Sequence, residues 1–161
     1  MVPPRKSFES GKKLTLEPII PKPIVWFEHD TKSIRLTLFE EAAHAADNIL
    51  SELVEGRRTF SSTQMRRYYT EIKNLDYRIK HWRTLSVAEQ TVRFQAILPV
   101  IKLLRVKVES KRNAKVGKVP KSFAQLMADC IDSVNTIEEF QAFVLFFEAV
   151  VGFYIGRNDR S

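Results

Sequence analysis

Apolar residues after Phe27 recur mainly every three or four positions, and period-two alternation is scarce. This spacing places apolar side chains along one face of a helix, so it predicts helices and no sheet. Only two prolines interrupt this part of the chain, Pro99 and Pro120. We therefore predict an all-α fold, with a single compact bundle of about five helices over residues 31–156 and a short polar tail over residues 157–161.

Local start and stop signals set the expected helix bounds. Ser61, Ser86 and Thr136 each precede a Gln or Glu by three residues, which is the spacing of a capping box, where two side chains bond unpaired backbone N–H groups. Glycines at positions 56 and 156 are the expected stops of the first and last helices. The predicted helices run over residues 31–55 and 61–84, from 86 onwards, from Pro120 to about 134, and over 136–154.

Two features interrupt the helical pattern, and one residue marks the core. Pro99 falls inside the apolar line of the third helix, where its missing N–H should either kink that helix or split it into two pieces. Residues 113–119 follow as a basic loop. The single cysteine, Cys130, lies in an apolar line and cannot form an intrachain disulfide. We expect it to be a small core residue of a reduced, intracellular protein.

The first 30 residues differ from the rest of the chain. Five of the seven prolines lie within the first 23 positions, together with several lysines, so a helix cannot run there. We expect a Pro-rich arm over residues 1–30 that is partly disordered or docked. Its apolar piece, residues 19–27, should dock on its own domain or on a partner, because disordered tails rarely expose so much apolar surface.

The last predicted helix is apolar on nearly all sides, since Phe146 and Phe153 lie away from its main apolar face. Such a helix must be buried nearly all round. Two arrangements satisfy this requirement: a central helix within its own domain, or a helix covered by a second subunit. Phe146 and Phe153 are the candidate protein-interface residues.

Charge is segregated along the chain, although the total is only +7 and the pI is near 9.6. Residues 57–121 contain seventeen Lys or Arg against four Asp or Glu, a balance of +13, whereas residues 122–156 contain five acidic residues and no basic one. Ordinary solvated helices mix signs, so the excess indicates a polyanionic partner, most commonly nucleic acid. The acidic segment suits a protein surface instead.

The sequence lacks a helix-turn-helix head, a zinc finger and an RNA-recognition sheet, so we expect contact with phosphate backbones and no base readout. This disfavours a sequence-specific DNA regulator. Arg66, Lys73 and Lys80 are seven residues apart and are expected opposite the apolar face of the second helix, spanning about 21 Å. The nucleic-acid-binding candidates taken from the charge pattern are Lys73, Lys80, Lys102, Lys111 and Arg112.

Patterns for catalysis, cofactors and metals are missing. The three histidines lie far apart and lack a second ligand at a metal-binding spacing, and no Gly-rich phosphate loop, nucleophile elbow or cysteine pair occurs. We expect no enzyme, no cofactor and no metal. We also expect a soluble cytoplasmic protein without a membrane span, because no segment offers about 18 uncharged apolar residues.

Three segments carry patterns typical of one protein family. Residues 62–68 open a helix with Ser-Thr-Gln-Met-Arg-Arg-Tyr, residues 104–107 read Leu-Arg-Val-Lys, and residues 140–151 space phenylalanines ahead of Phe-Glu-Ala. They resemble the small subunit of the Csm-type, type III-A CRISPR effector complex, in a likeness that spans residues 60–156. The arm over residues 1–30 has no counterpart in this resemblance.

The resemblance implies an all-helical subunit without catalytic residues, stacked in copies along the inner filament of a guide-RNA complex. Such a subunit would line the channel for guide RNA and target RNA in antiviral defence, beside the large polymerase-like subunit and the backbone subunit. Guide pairing supplies sequence choice in complexes of this kind. Arg105 also lies at the edge of the apolar stripe, where it would be partly buried. The residues matched to the family by position are Arg66, Arg67, Arg105 and Lys107.

An alternative function is left open by these patterns. The aromatic last helix and the acidic segment favour a helical adaptor that acts through protein association, such as homodimerisation. The basic residues would then only confer solubility.

Overall fold

The chain folds into helices, as its apolar spacing predicted. The computed structural model describes residues 20, 22–29, 31–52, 56–57 and 60–159. These ranges contain no strand, and Phe27 and Ile34 form an isolated antiparallel bridge. The all-α prediction is thus confirmed. The helices are α1 (Thr37–Ser51), α2 (Ser62–Lys80), α3 (Val87–Ser110), α4 (Lys121–Asp132) and α5 (Ile137–Asn158), with a 3-10 turn over His81–Thr84 that continues α2.

The central helix is α5, which packs against both α1 and α2. Its phenylalanines at 140, 143, 146 and 147 are all nearly inaccessible to solvent. The remaining helices pack as α3 on α4 and α4 on α1. The nearly all-round apolar pattern of α5 is therefore satisfied mainly inside this chain, although Leu145 and Phe153 stay partly exposed.

The apolar segment before α1 packs onto the bundle. The Trp26 ring meets Phe143 and Phe146 edge-on, with ring centroids 6.2 and 6.0 Å apart. Its Nε1 donates a hydrogen bond of 3.1 Å to the Ser133 carbonyl oxygen at the end of α4. Residues 1–19 lie outside the described part of the chain. The buried side chains of the described segment are Ile20, Ile24 and Trp26.

The first helix is shorter than predicted at both ends. It begins at Thr37 because the preceding residues fold back on the arm: Glu28 N–H donates to the Ser33 carbonyl oxygen at 2.8 Å, and Arg35 N–H donates to that of Trp26 at 3.0 Å. It ends at Ser51, and the extended backbone of the next residue leads the chain away. The predicted stop at Gly56 was wrong, since the helix ends before reaching it.

Helix starts follow the capping signals closely. Both the Ser61 and the Ser86 capping boxes are present with their reciprocal hydrogen bonds. Thr136 accepts from the backbone N–H of Glu139 at 3.1 Å, but the Glu139 carboxylate accepts from Asn135 N–H at 3.2 Å, so the third box is only half formed. The starts of α2, α3 and α5 were predictable because each cap uses residues that are neighbours in sequence, whereas α1 has no side-chain cap.

Pro99 does not split the third helix, because α3 runs without a break from Val87 to Ser110. Pro99 lies on the solvent-exposed side, as does Gln95 four residues earlier. The Gln95 carbonyl group would have accepted the N–H that Pro99 lacks. Because it lies on the solvent side, water can replace that donor, which relieves the cost of the proline.

The last helix also runs further than predicted. It passes Gly156 and ends at Asn158, so Arg157 and Asn158 belong to α5 and not to a tail. Arg157 donates to the Ala43 carbonyl oxygen on α1 at 3.0 Å, and Asn158 donates to the Ser62 hydroxyl at 3.0 Å. These tertiary bonds extend the helix beyond its glycine.

The predicted basic loop and fourth helix are both present. Residues 113–119 are not helical, and Gly117 has a φ of +69°. Pro120 is the N-cap of α4 and has no side-chain acceptor. The Glu52 carboxylate takes this role, since it accepts from the backbone N–H groups of Lys121 and Ser122 at 2.8 and 2.7 Å. Cys130 is buried in α4, and burial raises the pKa of its thiol well above the ordinary value.

Candidate nucleic-acid interface

The row formed by Arg66, Lys73 and Lys80 lies beside the buried face of α2, not opposite to it as predicted. Lys73 and Lys80 lie 3.7 and 2.8 Å from the Asp76 carboxylate, which is 2% exposed. Lys73 also lies 3.8 Å from Glu148 on α5. A carboxylate this deeply buried needs paired charges. Both lysines therefore compensate the buried Asp76 carboxylate, and Lys73 also links α2 to α5.

Arg66 and Arg67 differ in their surroundings although they are adjacent. The Arg66 guanidinium lies 3.8 Å from Asp159, and the Ser62 hydroxyl donates to the same carboxylate at 2.9 Å. This exposed ion pair links the start of α2 to the end of α5 and is worth little in water. Arg67 is exposed and has no side-chain partner within the described ranges.

Lys102 and Arg105 are engaged by the C-terminus of α4. The Lys102 amine donates to the carbonyl oxygens of Ile131 and Val134 at 2.7 and 2.6 Å. Partial burial lowers the pKa of Lys102. Arg105 donates to both carboxylate oxygens of Asp132 at 2.7 Å and is exposed, so it is not partly buried as its position suggested. Positive charges at a helix C-terminus complement its dipole, which gives both residues a structural role.

Lys107, Lys111 and Arg112 are more accessible. Lys107 pairs with Glu71 at 3.3 Å and Arg112 with Glu109 at 2.8 Å. Exposed pairs of this kind contribute about 0–1 kcal/mol, so a denser anion can displace the carboxylates. Lys111 is exposed and has no ion-pair partner among the residues that the structure describes.

Two exposed arginines that were not among the predicted nucleic-acid-binding residues lie on α2 and α3. Arg78 on α2 and Arg93 on α3 line the same groove, and in the described part of the chain neither has an ion-pair partner. Arg78 follows Arg67 by eleven residues, or about three helical turns, so both leave α2 on the same side. That spacing could have identified Arg78, whereas no sequence signal brings Arg93 to this groove.

The α2–α3 groove, which we define by Tyr77, Arg78, Trp82, Arg93 and Val100, has a volume of about 550 Å³. It continues into a second depression of about 240 Å³ that shares Arg78 and Val100 and reaches Lys107. Its lining is mainly apolar, and Arg78 and Arg93 line its larger part.

The two predicted protein-interface residues have different environments. Phe146 is 2% exposed and packs against Trp26, so it is a core residue of this chain and does not reach a partner surface. The arm covers this position, which the helical pattern alone could not show. Phe153 is 37% exposed, and the Arg157 guanidinium lies 5.1 Å from its ring centroid. The interface prediction therefore applies to Phe153 alone.

Contrary to the expectation from the sequence, one helix is long and apolar enough to cross a membrane by length and composition. This helix is α5. Half of its most apolar window is buried inside the fold, and the central helix of a bundle has the same composition for a different reason. The contacts of α5 with α1 and α2 account for its apolar surface.

Fold and surface together define a class of protein: a small all-helical bundle whose cationic side chains gather along α2 and α3. The family described as Csm2 Type III-A matches residues 37–155, and the chain belongs to this family. It is thus a small subunit of the type III-A Csm complex of CRISPR systems, and membership implies association with other Csm subunits. No curated protein and no solved structure matches the chain.

The family match extends the resemblance found in the sequence. It begins at the first residue of α1 and therefore includes a helix that the motifs within residues 60–156 did not cover. It excludes the described residues of the arm, which pack on the bundle through Trp26 and its neighbours.

Proposed function

We propose that this chain is a non-catalytic scaffold subunit that lines the channel for guide RNA and target RNA in a type III-A Csm complex. It binds RNA backbones without sequence preference and serves antiviral defence as a soluble cytoplasmic protein. Its further partners are the large polymerase-like subunit, the backbone subunit and copies of itself. Family membership and the balance of +13 over residues 57–121 support this function.

The observation that carries the proposal is the set of exposed guanidinium groups on α2 and α3. Arg67, Arg78 and Arg93 are exposed, and no described carboxylate lies within ion-pair distance of them, although Glu89 interacts electrostatically with Arg93 one turn away. A guanidinium can bind two phosphate oxygens at once, and three exposed groups of this kind favour a phosphate-bearing ligand. RNA backbone is the ligand that matches a base-indifferent surface of this charge.

The nine candidates taken from the sequence contribute to the proposal in two ways. Lys73, Lys80 and Lys102 hold the fold together through the contacts described above, so their substitution would confound binding with stability. The candidates that can meet RNA without unpairing a buried group are Arg66, Arg67, Arg105, Lys107, Lys111 and Arg112.

The proposal is tested by charge reversal at the three unpaired arginines. Arg67→Glu, Arg78→Glu and Arg93→Glu should each weaken the binding of a single-stranded RNA and reduce the slope of log affinity against log salt by about 0.7 per lost contact. Fluorescence anisotropy over a salt series measures both quantities. Lys32→Glu is the matched control, since it makes the same charge reversal at an exposed lysine outside the basic region.

Circular dichroism should show that all four variants keep the helical content of the parent protein. If the three arginine variants retain the parental affinity and salt slope, the surface between α2 and α3 does not bind RNA. Co-purification of the tagged protein with small RNA and larger Csm subunits is the complementary test of assembly.

A helical adaptor is the second candidate, and a specific observation favours it. Val92, Leu103 and Val106 form an outward-facing row on α3 and are 70%, 49% and 59% exposed. An apolar row of this kind is typical of a protein contact. If the adaptor function is correct, the protein forms a dimer without RNA, light scattering shows a monomer for Leu103→Asp or Phe153→Asp, and RNA affinity is absent at moderate salt.

A further inference from the structure

We propose that the α2–α3 groove binds one unpaired RNA nucleotide, with the base against an aromatic wall and the adjoining phosphates on Arg78 and Arg93. This inference rests on the proposed function, because it assumes that RNA reaches this surface. It adds a base contact to a protein otherwise expected to touch only the backbone.

The aromatic wall is formed by consecutive turns at the end of α2. Tyr77 is 65% exposed, which is unusual for an aromatic side chain. It does not belong to the hydrophobic core. Its ring centroid lies 4.3 Å from that of His81, whose Nδ1 lies 2.9 Å from the Tyr77 carbonyl oxygen. Trp82 is partly buried against the core and lines the same groove. Exposed aromatic rings are the surfaces on which single-stranded bases stack.

The charge of the groove favours a nucleotide over other occupants. No Asp or Glu lines the larger part of the groove, where Arg78 and Arg93 are both present. The carboxylate that lines its continuation, Glu71, is already paired with Lys107 at 3.3 Å. An apolar peptide could fill the floor but would leave two guanidinium groups without partners. A nucleotide supplies both an apolar face and the anionic oxygens.

The dimensions of the groove suit a single base. A volume of about 550 Å³ lies within the range of about 300–1,000 Å³ seen for small-molecule sites. The groove is shallow and largely open to solvent, so a base splayed out of its stack can reach its aromatic and apolar lining. Every base presents a π-face, so stacking of this kind is sequence-tolerant and agrees with a subunit that does not read sequence.

The inference is tested by deleting bases from the ligand and rings from the protein. The probes are a fluorescein-labelled 12-mer of oligouridylate and a labelled 12-mer of the same backbone with abasic ribose at every position. The parent protein should bind the base-bearing probe about tenfold more tightly, as expected for one stacked base. Tyr77→Ala should remove this difference without weakening the binding of the abasic probe, and Tyr77→Phe should restore it. Arg93→Glu should weaken both probes.

A second readout locates the base. Oligouridylate that carries 4-thiouridine should crosslink under ultraviolet light to the peptide that contains Tyr77 and Trp82, and the crosslink should disappear with Tyr77→Ala. A crosslink confined to other helices would overturn the inference. Because Tyr77 is exposed and makes no core contact, its substitution should leave the fold intact, which circular dichroism verifies.

The outcomes separate this inference from the proposed function. Equal binding of the two probes, combined with a loss of affinity in Arg67→Glu, would overturn the nucleotide site and leave the backbone-binding function standing. Failure of the parent protein to bind either probe would overturn both. If another Csm subunit protects Tyr77 from crosslinking in the assembled complex while RNA is present, the groove is a protein site and the inference is wrong.

Discussion

The anchoring of the arm by Trp26 leads to a specific prediction about stability. Trp26 is almost fully buried, its ring packs on Phe143 and Phe146 of the central helix, and its Nε1–H satisfies the Ser133 carbonyl oxygen. Replacing a buried aromatic residue by alanine costs about 3–5 kcal/mol in transferred surface and residual cavity. The variant Trp26→Ala should therefore lower the free energy of unfolding by about 4 kcal/mol.

A second variant divides this cost between packing and hydrogen bonding. Trp26→Phe keeps an aromatic ring in place but removes the indole donor, so the Ser133 carbonyl oxygen loses its partner. The net value of one such bond is about 1 kcal/mol, and an unsatisfied acceptor adds to the loss. We expect Trp26→Phe to destabilise by about 1–2 kcal/mol, clearly less than alanine.

Urea unfolding followed by circular dichroism at 222 nm measures both effects. With a slope of about 2 kcal/mol per M, typical of small domains, Trp26→Ala should lower the midpoint by about 2 M. Val25→Ala is the matched control, because Val25 is adjacent but 57% exposed, and surface substitutions change stability by only about 0.5 kcal/mol. If Trp26→Ala shifts the midpoint no more than Val25→Ala does, the arm is not part of the folded core.

Four further predictions concern helix ends and the loop before α4. Glu52→Ala should lower the free energy of unfolding by about 1 kcal/mol, because the first turn of α4 loses its carboxylate acceptor; an unchanged urea midpoint would contradict this. Gly156→Ala should raise it by about 0.5–1 kcal/mol, since an added Cβ meets no atom within 4 Å. Gly117→Ala should lower it, because a φ of +69° is strained for alanine. Hydrogen bonds from Ser86 lower the pKa of Glu89. The capping contribution is therefore present above the ordinary carboxyl pKa and lost as the pH falls through the lowered value, and an NMR titration should show this pKa return toward normal in Ser86→Ala.

Features that depend on neighbours in sequence were predictable. The capping boxes at Ser61 and Ser86 and the helical class follow from spacing alone, and the structure contains each of them. The apolar stripe of α2 was also predicted, with Met65 and Ile72 now seen to be buried. Local hydrogen bonds and helical periodicity determine these features, and both are written in short stretches of the chain.

The predicted cationic row shows where such reasoning fails. Arg66, Lys73 and Lys80 share one side of α2, as their spacing of seven requires, but Arg66 and Lys73 on that side pair with Asp159 at the end of α5 and with Glu148 on α5. Sequence spacing could have identified the pairs of Asp76 with Lys73 and Lys80, because all three residues lie in α2 at separations of three and four. It could not supply the burial of Asp76 or the contact of Lys73 with Glu148, because both depend on which helix packs beside α2.

The amino-acid sequence alone therefore establishes the helical class, the regional excess of positive charge and the motifs of the Csm2 family. These properties follow from composition and from contacts between near neighbours. Tertiary packing decides which cations remain available: it assigns Lys102 to the end of α4 and brings Arg78 and Arg93 to one groove. The physical reason is that the partners of a charged side chain are set by distances between helices, and the chain fixes these distances only when it folds.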